Sequence, residues 1–426
     1  MFRSFAVSAA CLLTLAAAPS AAQITIPANN LGTDGSFAPF QNRTVTLGSA
    51  PTGNWEDPGD GRGIYDPEKW AVVFKYTTVS IPQNVTVNFA NHPSGAPVVW
   101  LVDGDVNISG TLTLVGVNGS SDTSAYPAGG PGGFRGGKGG NPYSSGFGPG
   151  GGQAQPQGST GEGGGFGTFG MSPVVGGIGG LVYGTSDLVP LIGGSGGGAG
   201  RATFGSSWAS GGGGGGAILI VATGTITING AIIADGGNGT SIGCGTGCSI
   251  NAGGGSGGGI RLVSNTLTGS NLGVLRARGG SGPMPGGAGR IRTEANFDSL
   301  PIQSNPERSV ATVGSTARLW PDASDPRIEA VTLGNQAVPQ DPRGLFTFGN
   351  TDIQLSDGVP ALVTINAANV PVNSYVEVRV VPVTQNQDEI RVPATFLSGS
   401  SASSTWRATL PISDGVSAFT VTVTLP

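Results

Sequence analysis

Asp103 and Asp105, in Trp100-Leu-Val-Asp-Gly-Asp105, are the nearest this chain comes to a catalytic pair. Residues two apart on a strand share a face, so both carboxylates would point the same way, as a general acid/base pair or a Ca²⁺ site requires. The matching coil further along carries Thr223 and Thr225 at these positions, which makes a solvated corner the plainer account. The single histidine, His92, sits in the turn Asn91-His-Pro-Ser-Gly95 and reads as a surface turn residue. No Ser-His-Asp set assembles around it. The catalytic assignment is therefore none, and Asp103 with Asp105 is the pair an enzyme would have to use.

Three further groups bear on chemistry. Asp57, Asp60 and Asp66 surround a Gly-rich turn, and oxygen ligands on such a turn are a weak Ca²⁺ signal without EF-hand spacing. An acidic surface turn explains them as well. Cys244 and Cys248 lie four apart in Gly243-Cys-Gly-Thr-Gly-Cys-Ser249, a tight loop that reads as a local disulfide in an exported chain. The rival is a metal site, but two thiols with no nearby histidine make a poor ligand set. The glycine runs form no phosphate cradle, since no Gly-Lys-Ser/Thr opens a helix among them.

The elements that must hold these residues announce themselves by repetition. Val98–Gly119 recurs without a gap 120 residues later as Ile218–Gly239. Apolar residues alternate in both copies, glycines recur at Gly104/Gly224, Gly110/Gly230 and Gly116/Gly236, and both close on Asn118-Gly119 and Asn238-Gly239. Period-2 alternation broken by glycine is a strand-and-corner rhythm. A unit this short cannot bury its own apolar face and must stack on copies of itself. The expectation is an all-β chain with a short parallel β-helix over residues 71–300, its coils starting near Ala71, Ala96, Ala217 and Gly259, with a partial fifth at Gly289.

Residues 127–216 form a Gly-rich insertion between the second and third coils. Apolar residues are spaced through it and charge is scarce, unlike a disordered linker. Val98–Val102 and Ile218–Ala222 are apolar at every position, so their outer face needs a cover. The insertion is the expected cover, its Gly-Gly-x triplets having the three-residue period of polyproline-II strands. Residues 23–70 read as an N-terminal cap with Trp55 and Trp70 as plugs, and 301–326 as a linker. About seven short alternating strands over 327–426 read as an immunoglobulin-like sandwich lacking the cysteine pair and buried tryptophan of antibody domains.

Met1-Phe2-Arg3 and the apolar run Ala6–Ala18 read as a signal peptide, residues 1–22, cleaved before Gln23. The run is too short for a transmembrane anchor, and no second one follows, so no membrane span is expected in the mature chain. A formal charge of −5 with few basic clusters argues against nucleic acid as partner.

The lead-ins Gly253-Gly-Gly-Ser-Gly-Gly-Gly-Ile260 and Gly286-Gly-Ala-Gly-Arg-Ile-Arg292 resemble those of Gly-rich exported bacterial repeat proteins. The coil Val106-Asn-Ile-Ser-Gly-Thr-Leu-Thr-Leu114 is similar to the β-helix passenger domains of haemagglutinin-like adhesins. Arg290-Ile-Arg292 also resembles the Arg-Ile-Lys element of polygalacturonase-like enzymes, without their histidine. The likeness spans about residues 70–295 and implies a β-helix displayed outside the cell. It departs from autotransporters in closing on Thr422-Val-Thr-Leu-Pro426 with no translocating barrel. The expected role is a non-enzymatic surface or matrix protein, structural or adhesive, requiring no cofactor. Asn107, Ser109, Thr111, Thr113, Thr225, Thr227 and Asn229 would form a flat outward polar ladder suited to a cell-surface glycan or matrix. The alternatives are a β-helix polysaccharide lyase or hydrolase using Asp103 and Asp105, and a passive stalk.

Overall fold

A computed structural model describes residues 24–47, 63–121, 125–154, 160–201, 207–243, 249–342, 344, 351–356, 359–411 and 415–426. The leader and its cleavage point, Trp55, Asp57, Asp60, Cys244 and Cys248 lie outside the described residues. The architecture is all-β, with no helix among the described residues and so none long and apolar enough to cross a membrane.

Two sheets of parallel strands occupy the first three-quarters of the chain. One runs in the order Ser36–Phe37, Thr78–Ile81, Val106–Ile108, Ala217–Ile228, Gly259–Gly269, Arg290–Asp298 and Ser309–Ala311, with Ala71–Tyr76 and Val98–Val102 stacked beside the same long strands. The other runs Arg43–Thr46, Thr86–Ala90, Thr111–Thr113, Ala231–Ile233, Val274–Arg276 and Gln303–Asn305. The two copies of the repeat are adjacent rungs. Val98 pairs with Ile218, Trp100 with Ile220 and Val102 with Ala222, Val106 with Ile226, and Leu112 with Ile232. The next rung follows in register, Ile260 on Ile218 and Leu275 on Ile232.

Alternation decides what is buried where. Val98, Trp100, Ile218, Ile220, Ile260 and Leu262 face an interior shared by both sheets, and each such side chain contributes roughly 1.5–3 kcal/mol by leaving water. The intervening Val99, Leu101, Leu219, Val221 and Val263 form a second cluster on the outside of the first sheet. The insertion covers that outer face only in part, through Phe166, Leu188 and Leu191. Ile24, Ile26, Ala317 and Leu319, from the two ends of this region, complete the cover. The stretch expected to be a linker thus carries strands and packs against the sheet.

The cap also differs from expectation. Arg43–Thr46 pairs parallel with Thr86–Ala90, so this segment is itself a rung of the second sheet. The interior is closed at that end by aromatics: Phe37 stacks on Tyr76 with ring centroids 5.4 Å apart, and Tyr76 meets Trp100 edge-on at 5.7 Å. Trp70 packs only at the cluster's margin.

The insertion's segments carry little strand pairing but exchange backbone hydrogen bonds throughout. Gly214 donates to the Phe134 carbonyl, Gly130 to that of Gly214, Gly194 to that of Gly215 and Gly197 to that of Gly212, all at 2.8–2.9 Å. Buried peptide groups need partners, and here other glycine segments supply them.

From Arg327 onward every pairing is antiparallel. A five-stranded sheet (Gln336–Ala337, Arg327–Leu333, Leu362–Ala368, Ser403–Thr409, Thr395–Ser400) faces a three-stranded one (Ile390–Pro393, Tyr375–Pro382, Ser417–Thr424). The segment Asp352–Leu355 forms no strand. Val363, Ile365, Val376, Val378 and Val380 fill the space between the sheets. Trp406 joins them at 4 % exposure, so a buried tryptophan is present after all, on a strand where alternation points it inward.

Candidate functional site

The structure places Asp103 and Asp105 on a solvated corner. Asp103 and Asp105 flank the corner at Gly104 between Val98–Val102 and Val106–Ile108, not on a strand, and both are exposed. Asp105 Oδ1 accepts the backbone N–H of Thr225 at 2.7 Å, which caps the next rung. A Cβ at Gly224 would stand 2.2 Å from that oxygen, so the glycine corner and the carboxylate fit each other. Asp66 caps a turn that it opens, its Oδ1 accepting the N–H groups of Glu68 and Lys69 at 3.1 and 3.3 Å.

The other candidates are held in packing. His92 lies in the expected turn but is only 3 % exposed, its ring stacked on Tyr65 at 4.2 Å and its Nδ1 2.7 Å from Ser94 Oγ. It is not a surface residue, because Tyr65, from the strand Ile64–Asp66, packs on its ring. Arg290 lies over the Phe166 ring at 5.5 Å and donates to the Tyr183 carbonyl at 3.1 Å. Burial lowers its pKa and raises that of the enclosed Tyr183 hydroxyl. Arg292 pairs with Glu294 at 3.3 Å. Cys244 and Cys248 lie outside the described residues; the strands on either side, Ser241–Gly243 and Ser249–Asn251, pair antiparallel.

The seven ladder residues do not share one face. Asn107 stacks on Thr227, with Ser80 before and Thr268 after it. Thr225 stacks on Thr266. These form in-register outward rows on the first sheet, alternating with the buried Ile226 and Leu267. Thr111 and Thr113 lie on the second sheet, where their rung neighbours are Ala231 and Ile233. The chain turns between the sheets at Ser109-Gly110 and Asn229-Gly230. A Cβ at Gly230 would meet the Gly110 carbonyl oxygen at 1.9 Å, so that corner is tight.

A groove of about 740 Å³ was not among the expected sites. It runs across three rungs where each coil leaves the second sheet for the glycine segments. Asn118 Oδ1 accepts the N–H of Asn238 at 2.8 Å, and Asn238 Oδ1 accepts the N–H of Ser281 at 2.8 Å. With each amide oxygen held by the next rung's backbone, the side-chain NH₂ becomes the outward donor. Asp235 accepts Arg276 Nε at 2.6 Å and the Arg278 N–H at 2.8 Å. Val115 and Val117 stand half-exposed along one side. The signal for this ladder lay in plain view: Asn118 and Asn238 repeat at the same 120-residue offset as the apolar rungs.

No family model matches the chain, and no curated protein or solved structure matches it either.

Proposed function

We propose that this chain is an exported, non-catalytic surface or matrix protein whose stacked coils are a short parallel β-helix and whose C-terminal unit is an immunoglobulin-like sandwich, together presenting polar rows to glycan. The observation that carries the reading is the register of Ser80, Asn107, Thr227 and Thr268, four polar residues on four successive rungs of one outward face. Strands stack at about 4.8 Å, so such a row repeats hydroxyl and amide groups at regular intervals. Regular neutral donors and acceptors suit a polymer whose own hydroxyls repeat. The use of Asp105 as a backbone cap supports a structural part for that corner over acid/base chemistry.

Co-sedimentation of the full chain with insoluble polysaccharides, alongside a glycan array, tests this. Binding that falls in Thr227→Lys/Thr268→Lys supports the reading, and no binding to any glycan overturns it. Polysaccharide turnover by the full chain that is lost in Asp103→Asn would replace it with the lyase or hydrolase reading. Export is checked by amino-terminal sequencing of protein recovered outside the cytoplasm, where a chain beginning at Gln23 is expected.

A further inference from the structure

We propose that the groove across Asn118, Asn238 and Ser281 binds an acidic linear polysaccharide, one bearing a carboxylate on its sugar units. This rests on the glycan reading above and names the ligand class and a site distinct from the outward rows.

Three observations converge on it. The first is the ladder, in which three successive rungs place an amide, an amide and a hydroxyl along one line, all exposed. Their backbone continues the rung register beyond the last strand, Gly116 donating to the Asp235 carbonyl, Gly236 to that of Arg278 and Gly239 to that of Ser281, each at 2.9 Å. The two amide donors are therefore held by the scaffold and do not need to be ordered on binding, and Ser281 Oγ, which donates to Asn238 Oδ1 at 2.9 Å, offers an acceptor beside them.

The second is charge. Two guanidiniums, Arg276 and Arg278, face the single carboxylate of Asp235. Arg276 takes that carboxylate at 2.6 Å, whereas Arg278 lies 3.6 Å away with half of its side chain exposed. Arg278 and Asp235 line the groove and Arg276 lies beside it, so the three together leave one positive charge on a chain whose formal charge is −5. A planar guanidinium matches a carboxylate in geometry as well as charge.

The third is shape. The groove crosses the rungs, and Val115 and Val117, 46 % and 52 % exposed, offer an apolar side against which the face of a sugar ring can lie. Rung spacing of about 4.8 Å is close to the length of one sugar unit in an extended chain, so successive units would meet Asn118, Asn238 and Ser281 in turn.

The test is affinity electrophoresis and titration calorimetry of the full chain with polygalacturonate, and with a neutral β-glucan as contrast. Polygalacturonate is expected to bind, and more weakly as salt rises. Arg278→Gln should weaken it about tenfold or more, the loss typical of a hydrogen bond to a charged partner. Asn118→Ala/Asn238→Ala should weaken it similarly. Asp235→Asn, which keeps an oxygen for the Arg278 N–H, should tighten it, a direction that unfolding cannot mimic. Thr227→Lys/Thr268→Lys, on the other sheet, should not weaken it. If wild type binds glycan but Arg278→Gln and Asp235→Asn leave polygalacturonate binding unchanged, the groove is excluded while the glycan reading stands. Failure of wild type to bind any glycan overturns both.

Discussion

Arg379 reaches out of the Tyr375–Pro382 strand and donates from Nη1 to the carbonyl oxygen of Gly148, 2.8 Å away in the Gly-rich insertion. Its Nη2 donates to the Gly146 carbonyl at 2.8 Å, and its Nε to Glu389 Oε2 at 3.0 Å. Arg379 is 1 % exposed. The C-terminal sheets are thereby fastened to the insertion through a charge that water does not reach. Phe147 packs beside it against Val381, Val383 and Val416.

Removing that guanidinium should be costly. Arg379→Ala leaves Glu389 buried with only Arg391 and the Gln153 amide as partners, and strips a donor from each of the Gly146 and Gly148 carbonyls. Breaking one side of a buried ion pair costs about 3–5 kcal/mol. Urea unfolding should show a loss of that size. Arg379→Met/Glu389→Leu, which removes both charges, should recover much of it. A loss under about 1 kcal/mol in the single variant would mean that the contact fastens nothing.

The same pair sets an acid limb. Burial by itself would raise the Glu389 pKa, but the charge and hydrogen bonds of Arg379, with help from Arg391, outweigh it and hold the carboxyl below the ordinary 4.5. A carboxyl depressed in the folded state contributes stability that is fully present above its unfolded pKa and is lost as pH falls through the folded value. Urea midpoints should therefore fall on acidification below about pH 4.5, with one group contributing at most about 1.4 kcal/mol per pH unit. Glu389→Gln should flatten this limb. Glu162 works in the opposite sense: burial raises its pKa against hydrogen bonds from Ser172 and the Gln153 backbone. Its ionised form is penalised in the fold, so Glu162→Gln should steepen the net acid loss.

Within the stacked coils, Ile220 lies fully buried between Trp100 and Leu262 on the neighbouring rungs. Ile220→Ala deletes a side chain whose site cannot collapse, because both neighbours are fixed by their own strands. A loss of about 2–5 kcal/mol follows, measurable as a shift in urea midpoint. Thr227→Ala, on the exposed side of the same strand, should stay within about 0.5 kcal/mol of wild type.

The rungs were legible because stacking repeats both residue type and spacing, so Val98 and Ile218 declare themselves partners across 120 residues. The solvated corner was the plainer reading of Asp103 and Asp105, and it is where they lie; the shared strand face fails because alternation stops at Gly104, where the chain turns. Thr111 and Thr113 do point outward, but on the second sheet, because the chain turns at Ser109-Gly110. His92 was read as surface because its cover, Tyr65, comes from outside its own turn, and local sequence does not report distant packing. The groove went unassigned although its ladder obeys the repeat, because asparagine before glycine also reads simply as turn chemistry. How the insertion covers the sheet was only half legible, since Ile24 and Leu319 reach the same face from segments with no repeat to mark them.

The glycine segments make the most demanding prediction. Gly214 donates to the Phe134 carbonyl, accepts from Gly130, and sits so close to the next segment that a Cβ would stand 1.9 Å from the Gly194 carbonyl oxygen. Backbone, unlike the end of a side chain, cannot swing away, because its own hydrogen bonds hold it. Gly214→Ala must therefore push two segments apart and break contacts on both, a change at or beyond the usual 1–3 kcal/mol of overpacking, so about 3 kcal/mol or more. Gly243→Ala is the control, since an added methyl there meets nothing within 4 Å, and it should fall within about 0.5 kcal/mol of wild type. Thermal melts with hydrogen exchange read over residues 127–216 would decide. The Gly214→Ala chain should lose protection across the insertion while Val98–Val102 and Ala217–Ile228 keep theirs. Equal stability of the two variants would show that these segments are not packed against one another at all.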